Sequence, residues 1–477
     1  MTVRVVTPYI DGRFTPRRRR PTETVTAPWD GRPLAEMVAG DDADLLAALR
    51  GARRAQRELA SLPRHGRAEI LERVSRAIVG ERLPLARLIA ADAGKPFTFA
   101  LAEADRAATT FRVAAEEARR FGVQAFPADA DPRGAGYSAL VESFPLGVIA
   151  AISPFNFPLN LAAHKVAPAI ATGNTVVLKV PPQAPLAAFR LAELVAEAGA
   201  PPGTLQALHL PIPLAERLAT DPATSMLSFT GSARVGWHLK EVAARKRVVL
   251  ELGGNAAAIV HRDAGDLDAL AERIAWGAFG YAGQVCIKVQ RLLVDMTIAR
   301  RFTRLVVEAS RRLPAGDPLR PDTVVGPMID TAAMTRVREW IAEAEESGAR
   351  ALLKGSVRGR LLRPTILSGV TRDAKVWREE VFGPVLTVTP YRDWDEAIEL
   401  ANDSSYGLQA GVFTRDTGRV DRAFRGLEVG GVIVNDLPTL RLDHLPYGGI
   451  KASGFGREGL AAAMEEMTER RLLLMRP

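Results

Sequence analysis

Cysteine occurs once in this 477-residue chain, at Cys286. A single thiol excludes an internal disulfide framework and a cage of thiolate metal ligands. The six histidines are scattered without an HExxH-like spacing, so no bound metal is expected. Uncharged runs long enough to cross a bilayer are also nearly absent. The one candidate, residues 146–163, carries Pro154, Asn156 and Pro158 in its middle, where they would leave backbone groups unbonded in lipid. It reads instead as a buried strand, a tight turn and a buried helix, and no membrane contact is expected. Residues 1–11 have no charged head followed by an apolar stretch, so no secretory signal is expected and the cytoplasm is the expected location. The net charge is +8, yet no aromatic RNP-like motif or zinc-finger spacing accompanies it. Much of the excess is arginine spread along amphipathic segments, as at 50–57 and 300–312, and the only dense cluster is Arg17–Arg20. Nucleic acid is therefore not an expected partner, although the same field would favour an acidic substrate.

The composition is that of a globular chain, 47% apolar and 25% charged, and its length calls for two or three domains. Apolar residues recur at helical spacing over 41–62, 64–83 and 98–120, so the first part reads as helical. From residue 134 the pattern changes. Strands are predicted at 137–143, 147–153, 175–180, 205–208 and 226–229. Helices are predicted at 159–171, 186–198, 214–219 and 233–243. Such alternation means βαβ units and a parallel sheet. A second alternation runs from 248 to about 428, with helices near 267, 303, 332 and 395. The final apolar stretch, 468–475, reads as a terminal strand that is expected to pair with something, such as another subunit.

Several residues are placed for chemistry. Cys286 follows Gly283 and Gln284 after a helix expected to end near Tyr281. A lone cysteine is ordinarily a small buried hydrophobe, but at such a junction backbone N–H groups could stabilise a thiolate. Glu251 ends an apolar strand beside Gly253 and Gly254, a position suited to a water-activating base as well as to a plain surface carboxylate. Asn156, between Pro154 and Pro158, is either a turn residue or a rigidly held donor to a developing oxyanion. Gly231 and Ser232 join a strand to a helix and could cap it or present N–H groups to a pyrophosphate. The segment is not GxGxxG, so any dinucleotide binding departs from the usual fingerprint. Lys179 ends a neighbouring strand, on the edge where open α/β sheets bind ligands.

The blocks PFNFPLN (154–160), FTGS (229–232), ELGGN (251–255), GQVC (283–286), EEVFGPV (379–385) and PYGGIKASGFGREG (446–459) occur in this order. Together the chain resembles the aldehyde dehydrogenase superfamily over its whole length. The resemblance implies an α/β aldehyde dehydrogenase-like fold: two Rossmann-like domains and a small β oligomerisation element. The implied boundaries are 1–120 with 138–246 for the dinucleotide-binding domain and 247–430 for the catalytic domain. Segments 121–137 and 431–477 would form the oligomerisation element and C-terminal return, and a homodimer or homotetramer is implied.

By the same resemblance Cys286 is the nucleophile, Glu251 the general base, Asn156 the oxyanion donor and Lys165 the lysine behind the active site. Ser153, Pro154, Phe155, Lys179, Pro182, Gly231, Ser232, Leu252, Gly253, Glu380 and Phe382 are the implied cofactor contacts. The implied reaction oxidises an aldehyde, such as a semialdehyde or hydroxyaldehyde, to its acid with NAD or NADP through a thioester on Cys286.

Three departures from the family pattern matter. Pro182 stands where many NAD-preferring relatives carry a glutamate, which removes a repulsion against a 2′-phosphate, so NADP should be tolerated. Leu210-Pro211-Ile212-Pro213 replaces a glycine-rich loop. Val285 and Ile287 flank the nucleophile with apolar groups, where relatives acting on phosphorylated glyceraldehyde tend to have an arginine. Phe157, Val285, Ile287, Arg441 and His444 are the substrate-side candidates, with Arg441 or His444 able to anchor a carboxylate or hydroxyl. The alternative of a CoA-acylating dehydrogenase is opposed by Glu251, and that of a non-catalytic binding protein on the same fold by the retained Cys286, Glu251 and Asn156.

Overall fold

The computed structural model describes residues 4–16 and 20–476, so Arg17, Arg18 and Arg19 of the basic cluster lie outside the described residues; Arg20 pairs with Asp41 and Asp44. The chain does not begin as helix. Five short strands, Arg4–Val6, Tyr9–Ile10, Arg13–Phe14, Thr22–Thr26 and Pro33–Val38, precede the first helix. Strands of two to six residues carry too little alternation to be read locally, and partners fix them: Arg4–Val6 and Thr22–Thr26 flank Pro33–Val38, while Tyr9–Ile10 joins Leu205–Leu208. Asp41 then caps the helix Asp42–Ser61 through a reciprocal capping box. The expected helix 64–83 stops at Gly80. Glu81 leaves helical geometry, and a further helix, Arg82–Ala93, runs to Gly94 at φ +64°. The helix Phe97–Arg120 follows.

Two sheets carry the site. The first has eight strands, with a parallel centre in the order Arg247–Glu251, Met226–Thr230, Val148–Ile152, Thr175–Lys179, Leu205–Leu208. Its register sets Ile152 beside Lys179 and Phe229, Lys179 beside Leu208, and Thr230 beside Glu251. The residues that leave these strands therefore share one edge, where ligands of open α/β sheets bind. Helices Asn160–Thr172, Leu186–Glu197, Ile212–Thr220 and Ala233–Val242 are the crossovers. Separate apolar clusters fill the two faces, one on Ile149, Val176 and Leu178, the other on Ala150, Val177 and Leu227. Burial on both faces is why these strands read as unbroken apolar runs.

The second sheet has seven strands around Val385–Tyr391, Arg291–Asp295, Ala257–Val260 and Gln409–Phe413, and it too is covered on both faces. A third, three-stranded sheet pairs Thr468–Met475 with Ser138–Pro145 and that with Val123–Phe126. The terminal strand is thus paired within its own chain along one edge, and Ser138–Pro145 lies at the centre of this small sheet. Residues 146–163 form the strand Val148–Ile152, a turn and the start of the helix Asn160–Thr172. Among the described residues, no helix is long and apolar enough to cross a membrane.

Candidate active site

The blocks converge on a cavity of about 720 Å³ whose wall includes Phe155, Asn156, Gly231, Ser232, Glu251, Cys286, Glu380, Arg441 and Tyr447. Cys286 is delivered by a strained turn. The helix Leu267–Phe279 ends earlier than expected, and Tyr281, Ala282 and Gly283 follow at φ +53°, +53° and +66°. Left-handed geometry costs about 1–3 kcal/mol at each non-glycine residue and persists only where surroundings over-determine it. Gln284 supplies that constraint. Its buried amide donates to the Tyr281 and Pro327 carbonyls and accepts from Ile329 N–H at 2.8 Å. Gly283 cannot be replaced, since a Cβ there would lie 2.4 Å from the Gly383 carbonyl. No regular helix follows Cys286. Burial, with the Glu380 carboxyl acting in the same direction, pushes the thiol up to about 11, against a hydrogen-bonding pull from the Tyr447 hydroxyl 3.6 Å away.

Asn156 donates from Nδ2 to the Gln284 carbonyl at 3.1 Å, which fixes its amide beside the turn that carries Cys286. The loop that carries it is tied to the helix Phe97–Arg120. Glu103 accepts Leu159 N–H and Asn160 N–H with one carboxylate oxygen and Lys95 with the other. Lys95 in turn lies 3.2 Å from the centre of the Phe157 ring.

Glu251 has both carboxylate oxygens buried without a hydrogen-bond partner among the described residues. Burial first, then the neighbouring Glu458, raise its carboxyl well above the usual range, against the pull of Arg441, Lys165 and Arg457. Gly448 makes the room, because a Cβ there would lie 2.8 Å from Glu251 Oε1. Behind this acid runs a polar network that the sequence reading missed apart from Lys165 and Arg441. Lys165 Nζ reaches Thr230 Oγ1 at 2.8 Å, Ser228 Oγ at 3.1 Å and Glu458 Oε1 at 3.1 Å. Arg441 donates to the other Glu458 oxygen at 2.9 Å and lies over the Tyr447 ring. Arg106 grips Asp443 with two hydrogen bonds, and Asp443 also meets His164. Burial would raise Glu458, but Lys165 and Arg441 prevail and hold it below its ordinary value.

On the cofactor side, Gly231 and Ser232 open the ten-residue helix Ala233–Val242, and Ser232 forms no side-chain cap of its own. Gly231 N–H donates to the Glu251 carbonyl at 3.1 Å, and the helix start at Ser232, Ala233 and Arg234 lines the cavity, a setting that suits an anion. Glu380 accepts Gly254 N–H at 3.0 Å and is pushed up to about 7, mainly by burial. Gly253 is again a space-maker, since a Cβ there would lie 2.3 Å from Glu380. Phe382, at φ +46°, meets Phe155 edge-on. Pro154 and Leu252 complete this wall, together with Arg336 and Trp340, which the sequence reading did not single out. Ser153, Lys179 and Pro182 stand outside the cavity wall; the wall reaches their edge at Gln183. The buried, unbonded Ser153 hydroxyl, the uncapped helix start and the glycine space-makers fit a bound dinucleotide.

A second cavity of about 380 Å³ lies on the other side of Arg441 and is lined by Phe157, Val285, Glu103, Arg106, Phe99 and Trp276. Two of the substrate-side candidates lie off both cavity walls. His444 is exposed and lines neither cavity, because Asp443, not His444, turns inward. Ile287 is buried against Leu408 and Tyr447 and packs the floor under Cys286. No group of three or more His, Cys, Asp or Glu side chains is placed to hold a metal among the described residues.

Residues 14–473 match the sequence profile of the Aldehyde dehydrogenase family. The chain is 42% identical over 445 residues to 3-sulfolactaldehyde dehydrogenase of Priestia aryabhattai, covering 93% of each chain. The crystal structure of aldehyde dehydrogenase 21 from Physcomitrella patens, in complex with the reaction product succinate, superposes with a TM-score of 0.97. It is 37% identical, with coverage of 100% of this chain and 99% of the other. The NADP complex of NADP-dependent glyceraldehyde-3-phosphate dehydrogenase from Bacillus halodurans C-125 gives 0.95 at 36% identity, covering 99% of each.

Proposed function

The chain belongs to the aldehyde dehydrogenase family, and from that premise we propose which residues carry its NAD(P)-dependent oxidation of an aldehyde to a carboxylic acid. Cys286 Sγ, once deprotonated, attacks the aldehyde carbon, and the carbonyl electrons move onto oxygen. Asn156 Nδ2, already aimed at the nucleophile's turn, donates to that oxyanion. A bound dinucleotide would supply the hydride acceptor for the same carbon. Gly231, Ser232, Glu380 and Phe382 are the residues that would hold it. A thioester on Cys286 is left. Glu251, as carboxylate, then takes a proton from water, the hydroxide adds to the thioester carbon, and the Cys286 sulfur leaves as thiolate. Lys165 and Arg441 hold Glu458 ionised behind Glu251, and their positive charge also favours the Glu251 carboxylate.

We propose further that the substrate is a short aldehyde bearing an anionic tail, a carboxylate or a sulfonate. The observation that carries this is Arg441: a buried guanidinium common to both cavity walls, with Arg106 on the second wall beyond it. The relatives named for 3-sulfolactaldehyde and crystallised with succinate support that reading. The test is NAD(P)H formation across carboxylated, sulfonated, phosphorylated and neutral aldehydes. Arg106→Met should raise KM for anionic substrates while leaving neutral alkanals unchanged; an equal loss for both would sink the assignment. Glu251→Gln should give a single NAD(P)H burst without steady turnover.

The small sheet is proposed to mediate a homodimer or homotetramer. Leu472, Leu473, Leu474 and Met475 are 66, 51, 51 and 45% exposed on its edge strand, an apolar edge of the kind that association covers. The single thiol, free of any disulfide, suits the reducing cytoplasm.

A further inference from the structure

A third hollow, of about 600 Å³, shares no residue with either cavity described above. Its wall is built by the turn at Trp29, the end of the helix Met296–Arg312, the loop that follows it and the hairpin 356–363. Five arginines line it, Arg311, Arg312, Arg320, Arg358 and Arg363, against two aspartates, Asp317 and Asp322. Both acids are already engaged. Asp317 accepts Leu319 N–H at 2.9 Å, and Asp322 accepts two N–H groups of Arg320, each at 3.2 Å. Arg312 reaches Glu272 at 3.3 Å, with both side chains largely exposed. The Arg311, Arg358 and Arg363 side chains have no ion pair or hydrogen bond among the described residues. One unpaired arginine on a surface is ordinary. Several around one hollow repel one another, and the concavity concentrates their field.

We propose that this hollow is a second binding site, for an anion that carries a chain of two or three phosphates. The excess of positive charge in the wall calls for a ligand of comparable negative charge, which a single carboxylate or phosphate lacks. The volume also exceeds what one phosphate fills and lies in the range of small-ligand sites. Guanidinium forks match phosphate oxygens two at a time, so arginine at every cationic position suits that chemistry. Inorganic polyphosphate and nucleoside polyphosphates share it. Half-buried Trp29 adds to the same wall a ring that only a ligand with a base would use.

The loop of this hollow also braces the turn that carries Cys286. Thr323, in the wall, is 3% exposed, and its hydroxyl donates to the Asp317 carbonyl at 2.7 Å. The carbonyl of the next residue, Val324, accepts Tyr281 N–H at 2.9 Å. Further along, the Pro327 carbonyl and Ile329 N–H hold the Gln284 amide. Pro318 accepts Phe97 N–H at 2.8 Å, beside Lys95 and Pro96. An anion that draws Arg320 toward Arg312 and the hairpin therefore tightens the segment on which the strained residues before Cys286 depend.

The test is calorimetric titration of the full-length protein with tripolyphosphate and with ATP at about 0.15 M salt. The wild type should bind tripolyphosphate. Arg358→Ala combined with Arg363→Ala should weaken it about tenfold or more, with the thermal midpoint unchanged because both side chains are exposed. ATP bound more tightly than tripolyphosphate, with the margin lost in Trp29→Ala, assigns the ligand a base; equal affinities assign the phosphate chain alone. Bound ligand should slow iodoacetamide alkylation of Cys286 severalfold in the wild type and not in the double variant. Absence of binding overturns the proposal. So does equal binding by wild type and double variant, which would put the anion elsewhere, such as the helix start at Ser232. Binding that leaves the alkylation rate unchanged overturns the link to the Cys286 turn.

Discussion

Burial disfavours the charged form of both Cys286 and Glu251, the form that each proposed role needs. The thiol is pushed up to about 11 and the Glu251 carboxyl well above its usual range, each mainly by burial. The thiolate is the reactive form, so alkylation of this sole cysteine by iodoacetamide should be slow at neutral pH. It should climb about tenfold per pH unit until the thiol titrates; a fast, pH-flat rate by mass spectrometry would contradict the burial argument. For Glu251 the working form is the carboxylate, so thioester hydrolysis in rapid-quench experiments should speed up as pH rises through its elevated value. Asn156→Ala should lower kcat by about 10²–10³, the usual cost of one oxyanion donor. These three residues were legible in the sequence because each sits in a dense block with glycine or proline neighbours. Tyr447 and Glu458 lay within the quoted C-terminal block, but nothing local separates them from their neighbours. Arg106 gave no signal at all: it is one arginine on an amphipathic helix, and only its grip on Asp443, 337 positions away, reveals it.

Between elements, the buried Lys95–Glu103 pair joins the loop before Phe97–Arg120 to the turn that carries Asn156 and Phe157. Removing one partner strands a buried charge, whereas replacing both with apolar groups does not. Glu103→Gln should therefore cost roughly 3–5 kcal/mol in denaturant unfolding. Glu103→Leu combined with Lys95→Met should cost less, yet still lower kcat, because Leu159 and Asn160 lose their acceptor. A double variant less stable than the single one would refute this. At this scale the long elements were readable: the parallel strands were found from their unbroken apolar runs and the crossover helices from their period. What escaped were the pieces held by distant partners. Tyr9–Ile10 is a strand only because Leu205–Leu208 offers an edge, and Arg82–Ala93 was hidden because a single non-helical residue, Glu81, joins it to the preceding helix.

For the whole molecule, the proposed catalytic set is assembled across a seam. Glu251 and Asn156 leave the eight-stranded sheet, while Cys286 and Glu380 come from segments that pack with the seven-stranded one. Removing residues 468–477 would bare the edge of Ser138–Pro145 and delete the leucine-rich strand. Light scattering should then report a smaller assembly or aggregation; an unchanged mass would place the subunit contact elsewhere. The solitary sulfur has one more consequence at this scale. Oxidation by peroxide would be a one-hit event, since Cys286 is also the residue proposed to start catalysis. A sulfenic acid formed there has no second cysteine in the chain with which to condense. Recovery must come from an external thiol before the sulfur advances to the sulfinic state, beyond which the loss is permanent.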